Sequence, residues 1–164
     1  MSTRNWNILS NYPGFQPIED TSTTQQHELG TTVQAKHATY GVTTFVYGKG
    51  VASTAQYDMC MIDTYGALTV RTVAATRGRV GVAMSANVAS QYGWYAVEGA
   101  VPVKAGTVAA QGQVFSTATA GTVDDASVAG SMIQGATFKS ADGTLAAGYA
   151  VVSLCHPSMC GVPA

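Results

Sequence analysis

Residues 79–104 read RVGVAMSANVASQYGWYAVEGAVPVK, and their pattern decides the fold class. Side chains alternate across a strand. In 79–85, Val80, Val82 and Met84 fall on one parity and Arg79, Gly81 and Ala83 on the other. A polar loop, 86–91, follows. Residues 92–103 then split again, with Tyr95, Val97, Val101 and Val103 on one face and Trp94, Ala96 and Glu98 on the other. The first set suits a core. The second sets a tryptophan beside a carboxylate, a pairing that core faces avoid and interfaces use. Pro102 cannot donate to a ladder, so this strand ends or lies at an edge there.

The pattern repeats outward from this stretch. Probable strands are 31–39, 42–48, 113–117, 132–140 and 144–154, broken by Gly, Ser, Thr, Asp and Asn. Residues 57–63 alternate Tyr57, Met59 and Met61 against Asp58, Cys60 and Ile62, and 67–73 is β-branched and periodic. With a tight turn at 64–66 between them, 57–73 reads as a hairpin. Asp142-Gly143 predicts a second hairpin through a type I′ turn. Residues 105–130 are small and glycine-punctuated, with room for one helical turn at 127–132. No helical stripe persists over three turns, so the expected fold is all-β: a small antiparallel β-sandwich or β-barrel.

Residues 1–28 differ. They hold Pro13, Pro17 and scattered large apolar side chains with no period. A disordered terminus is usually poor in aromatics, and this one is not. We therefore expect an extended N-terminal arm over 1–28, ordering on a neighbouring subunit and anchored by Trp6, Tyr12 and Phe15. Fully extended, such an arm reaches roughly 90 Å. The β-domain proper is expected at 29–156, and 157–164 reads as an irregular tail.

Only 10% of the chain is charged, and its formal net charge is −1. An average soluble domain carries roughly 25% charged residues. A surface covered by partners, or faces built of Thr and Ser, accounts for the deficit. Eight Lys and Arg against nine Asp and Glu argue against a nucleic-acid role, which needs a basic surplus. Arg71, Arg77 and Arg79 form the one basic cluster, read as a solvated strand-and-turn face or a contact for an acidic protein. No run approaches the ~20 apolar residues of a membrane helix. The opening MSTRNWNILSN lacks the apolar core of an export signal. Three cysteines without framework spacing suit a reducing cytosol.

Catalytic chemistry finds no motif. There is no G-x-S-x-G elbow, and His27, His37 and His156 stand apart. Cys155, His156 and Cys160 offer three soft ligands, but a structural zinc site wants four at closer-set spacings. Asp124-Asp125 lacks the calcium-loop pattern, and a glycosidase pair of Glu98 with Asp124 or Asp125 is conceivable but has no supporting motif. The expected sites are therefore not catalytic, and no cofactor or metal is expected. Trp94 and Tyr92, with Glu98, are the candidate intersubunit face. A sugar-stacking platform on Trp94, Tyr92 and Tyr95 is the alternative, and a small hydrolase the third.

Val80-Gly81-Val82-Ala83, a short loop, and then Gln91-Tyr92-Gly93-Trp94-Tyr95-Ala96-Val97-Glu98-Gly99 resemble the capsid decoration, or cement, proteins of tailed bacteriophages. So does 101–126, VPVKAGTVAAQGQVFSTATAGTVDDA. The resemblance covers about 78–154; residues 1–50 and the cysteine-containing tail depart from it. It implies a small, often trimeric β-domain on the outer surface of the virion, made in the host cytoplasm. Such a domain bridges neighbouring major capsid proteins near three-fold axes and has no catalytic residue, nucleic-acid partner or membrane partner. The alternative from another class is a carbohydrate- or receptor-binding β-module such as a head fibre base.

Overall fold

The structure is a computed structural model, and it describes residues 5–10, 14–63, 65–109 and 112–160. It is all-β, with antiparallel pairing between the named strands and no helix among the described residues, 127–132 included. The eleven strands are β1 (Trp6–Ile8), β2 (Thr32–His37), β3 (Gly41–Lys49), β4 (Met59–Ile62), β5 (Thr69–Arg71) and β6 (Gly78–Ala83), followed by β7 (Tyr92–Lys104), β8 (Gly112–Ser116), β9 (Val123–Asp124), β10 (Met132–Phe138) and β11 (Tyr149–Met159). They run in the order β1-β2-β3-β7-β6-β11-β10-β8-β9, and β4 adds to β6 and carries β5. β6, β7 and β11 each pair with the other two. The sheet therefore folds back on itself around β7, the longest strand.

β7 is buried on both faces, which the parity reading did not anticipate. Trp94 and Ala96 point into the main core with Phe45, Tyr47, Val80 and Val82. Tyr95 and Val97 point the other way, into a smaller core with Val46, Cys60, Ile62 and Ala83. Val101 and Val103, expected to share a face with Tyr95, lie instead in the Trp94 core. The reason is an irregularity where β7 meets β3: Glu98 pairs Thr44 but Ala96 pairs Phe45, so Val97 is an extra residue. One extra residue reverses the alternation beyond it. Gly99, at φ 102°, completes the bend, and a Cβ there would fall 2.5 Å from Thr43 Oγ1.

Beyond Glu98, β7 has β11 as its only strand partner among the described residues, which lets Pro102 sit in the strand opposite Val151. The 57–73 hairpin forms as expected, as β4 and β5 with Met61 opposite Val70. The second hairpin forms too, with β10 paired antiparallel to β11 and Phe138 opposite Val152, but not through a tight type I′ turn at Asp142-Gly143. β10 stops at Phe138 and β11 starts at Tyr149. Asp142 Oδ1 accepts the Val108 amide at 2.9 Å, and the Asp142 amide donates to the Val108 carbonyl at 3.2 Å. That bond to a distant loop holds the connection open. Residues 157–159, expected as irregular tail, continue β11, whose Ser158 and Met159 pair with Arg79 and Gly78.

The N-terminal segment is also corrected. Its described part does not extend away from the domain. β1 pairs with β2, Trp6 is only 5% exposed, and Ile18 lies in the main core. Ser22 and Tyr92 exchange both backbone hydrogen bonds, at 3.0 and 2.8 Å. Residues 14–28 thus form a strap across the chain's own β7, because the aromatic and aliphatic side chains that set the segment apart find their apolar contacts there.

Candidate interaction surface

The residues expected at an intersubunit face go to three different places. Trp94 is fully buried, and its indole Nε1 donates to the Gln16 carbonyl at 2.9 Å. It is a core residue of this chain and presents no surface to a partner. Phe15, expected to anchor an arm elsewhere, packs against Trp94 and stacks on His27, with ring centroids 5.0 Å apart for the second pair. Tyr92 is half-buried and lies parallel to Tyr47. Trp6 sits edge-on to Phe45 at 5.0 Å, in a separate group with His37 and Tyr40. Of the six, Glu98 alone among the described residues is exposed beside another strand's polar groups. It accepts from Thr44 Oγ1 at 3.0 Å and lies 3.6 Å from His156 Nε2. Tyr12 lies outside the described residues.

Gln16 binds the strap to this aromatic group. Its amide side chain accepts from Tyr47 Oη at 2.8 Å and donates to the Asp20 and Tyr92 carbonyls. Its backbone amide donates to His27 Nε2 at 3.1 Å. An imidazole that accepts a hydrogen bond at Nε2 is neutral there. Burial pushes the His27 pKa below its ordinary value, because the charged form loses hydration.

The cysteine and carboxylate sites found by sequence also resolve. Cys60 is buried, and burial pushes its thiol pKa upward, so it is held as the unreactive thiol. Among the described residues, no three His, Cys, Asp or Glu side chains gather as metal ligands. The important carboxylate was overlooked. Asp58 is fully buried; its Oδ2 accepts from Arg71 Nε at 2.7 Å and from the Ala55 amide at 2.9 Å, and Lys104 Nζ lies 3.7 Å from Oδ1. Arg71 also donates to the Ala120 carbonyl at 2.6 Å. The signal was present: Asp58 falls in phase with Cys60 and Ile62, and a carboxylate on a core face needs a cation. Arg71 therefore leaves the basic cluster, and Arg77 and Arg79 remain.

Those two arginines line a cleft beside exposed apolar side chains. Register aligns Val70, Met61 and Val80 in one row across β5, β4 and β6. Val80 is buried, Met61 is half-buried and Val70 is 48% exposed, so the row runs from the core out into solvent. Leu68, two residues before Val70 on the same parity, is 47% exposed. Tyr65, at the tip of the hairpin, is 99% exposed. A cleft of about 400 Å³ runs beside the row, lined by Met61, Leu68, Val70, Arg77 and Arg79 with Asp63. A smaller one, about 150 Å³, adjoins it and shares Ile62, Asp63 and Arg79. A partly exposed apolar row beside a cleft and a guanidinium has the composition of a protein contact: an apolar centre, an arginine and a polar rim. Its physics offers binding. No family model matches the chain, and neither does any curated protein or solved structure.

Proposed function

We propose that this chain is a non-enzymatic virion structural protein that binds the outside of a phage head and stabilises the shell by bridging neighbouring major capsid proteins. The observation that carries the reading is the solvent-facing apolar row on the β4–β5 hairpin, set on a domain with very few charges. A free monomer gains nothing from leaving Leu68, Val70 and Tyr65 in water, whereas a docked one recovers roughly 25 cal/mol for each Å² of apolar surface covered. The resemblance of residues 79–126 to capsid decoration proteins supports the same partner.

A rigid β-domain suits the task. Both cores converge on β7, and the strap is tied to it. The docking hairpin is braced internally by the buried Asp58–Arg71 pair, and it is tied to the domain where Arg71 donates to the Ala120 carbonyl and Lys104 of β7 lies beside Asp58. Many copies on a lattice multiply weak single contacts into a stable coat, and a homotrimer at three-fold positions is the arrangement we assign. The alternative, a carbohydrate- or receptor-binding module, has less support, because Trp94 and Tyr95 of its stacking platform are buried and Tyr92 is half-buried.

The test is direct. Purified full-length protein is added to expanded heads that lack it, and the heads are heated or taken to low ionic strength. Saturable binding with a raised threshold for head rupture is expected. Heads that bind none of the protein, or bind it without gaining resistance, contradict the reading.

A further inference from the structure

We propose that the cleft beside the β4–β5 hairpin receives an extended, acidic segment of the partner protein, which seats an apolar side chain against Met61, Leu68 and Val70 and a carboxylate on Arg79. This rests on the reading above for the identity of the partner, but not for the chemistry of the segment.

Three observations carry it. The first is the row Val80–Met61–Val70, an apolar sheet face whose covering ends partway across. What continues such a face is another apolar group laid on it. The second is Arg79. It is a lining residue of both clefts, is half-buried, and has no carboxylate partner among the described residues. The chain elsewhere pairs its inward guanidinium, Arg71, with a carboxylate at 2.7 Å. A half-buried guanidinium against apolar walls is the setting in which an incoming carboxylate gains most, through a charge-assisted and often bidentate contact. The third is that the one acid on the cleft is already in use: Asp63 Oδ1 accepts the Tyr65 amide at 3.0 Å and shapes the hairpin tip. With Arg77 and Arg79 against Asp63 in its lining, the cleft offers positive formal charge and apolar surface together. It selects against basic segments and against nucleic acid, which would bring no apolar group to the row.

The experiment compares the full-length chain with Val70→Asp, Arg79→Glu and, on an exposed apolar position outside the cleft, Leu145→Ser. All three positions are solvent-accessible, and circular dichroism melts check that each variant is folded. Co-sedimentation with expanded heads is read first. At least a tenfold loss of affinity for Val70→Asp and for Arg79→Glu is expected, with Leu145→Ser unchanged. If the parent binds and both cleft variants bind equally well, the cleft is not the contact, although the decoration reading survives. If the parent does not bind heads at all, that reading fails and the cleft is judged by a second arm. There, acetyl-Val-Leu-Asp-Val-Thr-amide is titrated into isotope-labelled protein and amide shifts are followed. Shifts confined to residues 61–63, 68–70 and 77–79, and lost with the Asp→Asn peptide, support the cleft chemistry in an unidentified partner. Shifts that are absent, or unchanged by that replacement, overturn it.

Discussion

His27 shows how one side chain ties the strap to the core. Its Nε2 accepts the Gln16 amide, and its ring lies among Phe15, Tyr47 and Trp94. Its pKa is lowered by burial from 6.5. The unfolded chain then takes up a proton at this site before the folded chain does, so stability falls as pH drops. The contribution is complete above about pH 6.5 and is lost as pH falls from there through the lower folded value. We predict that the thermal midpoint falls between pH 7.5 and 5, and that His27→Gln flattens that fall while lowering stability at pH 7.5. An equal pH dependence in parent and variant refutes the role. None of this was legible in the sequence, where His27 stood beside no partner. Trp94 was misread for a related reason. Its parity with Glu98 looked like an interface signature, but a strand buried on both faces carries no polar face, and the extra residue at Val97 puts Glu98 outside the run that Trp94 belongs to.

At the scale of elements, most strands were legible, because β-branched alternation between glycine breaks reports burial directly. β2, β3, β4, β6, β7, β8 and β10 lie where that pattern puts them. The failures came where a long-range bond overrode a local preference. Asp142-Gly143 has turn chemistry, yet Asp142 is bound to Val108. The strap was read as an arm because its aromatics lack a period, and an irregular segment can cover a core without one. The described part of residues 1–28 buries Trp6 in β1 and Ile18 in the strap, and holds Gln16 against Trp94. Deleting residues 1–28 should therefore lower the thermal midpoint by on the order of 10 °C, from two large apolar side chains worth ~2 kcal/mol each. It should also make Trp94 fluorescence accessible to quencher. A truncated protein that melts with the parent and keeps Trp94 protected places those contacts outside the stabilising set. Weakened head binding by this variant would then follow from lost fold stability, and only a folded truncate that still fails to bind would argue for an arm.

At the scale of the whole molecule, the fold class was legible and the proposed contact surface was not. Low charge fits a surface covered by partners or faces built of Thr and Ser, and says nothing of place. The place emerges only when register lines up Val70, Met61 and Val80, and when Arg71 turns away to Asp58 while Arg79 remains at the cleft. Two buried cores sharing β7 make a stiff body, and the β4–β5 hairpin carries its apolar row outward. The central claim is that this body decorates a shell, and the most direct measurement is quantitative mass spectrometry of purified virions. A capsid decoration protein is expected there at a copy number in fixed, lattice-derived ratio to the major capsid protein. A protein absent from virions, or present in only a handful of copies as a fibre base would be, contradicts it.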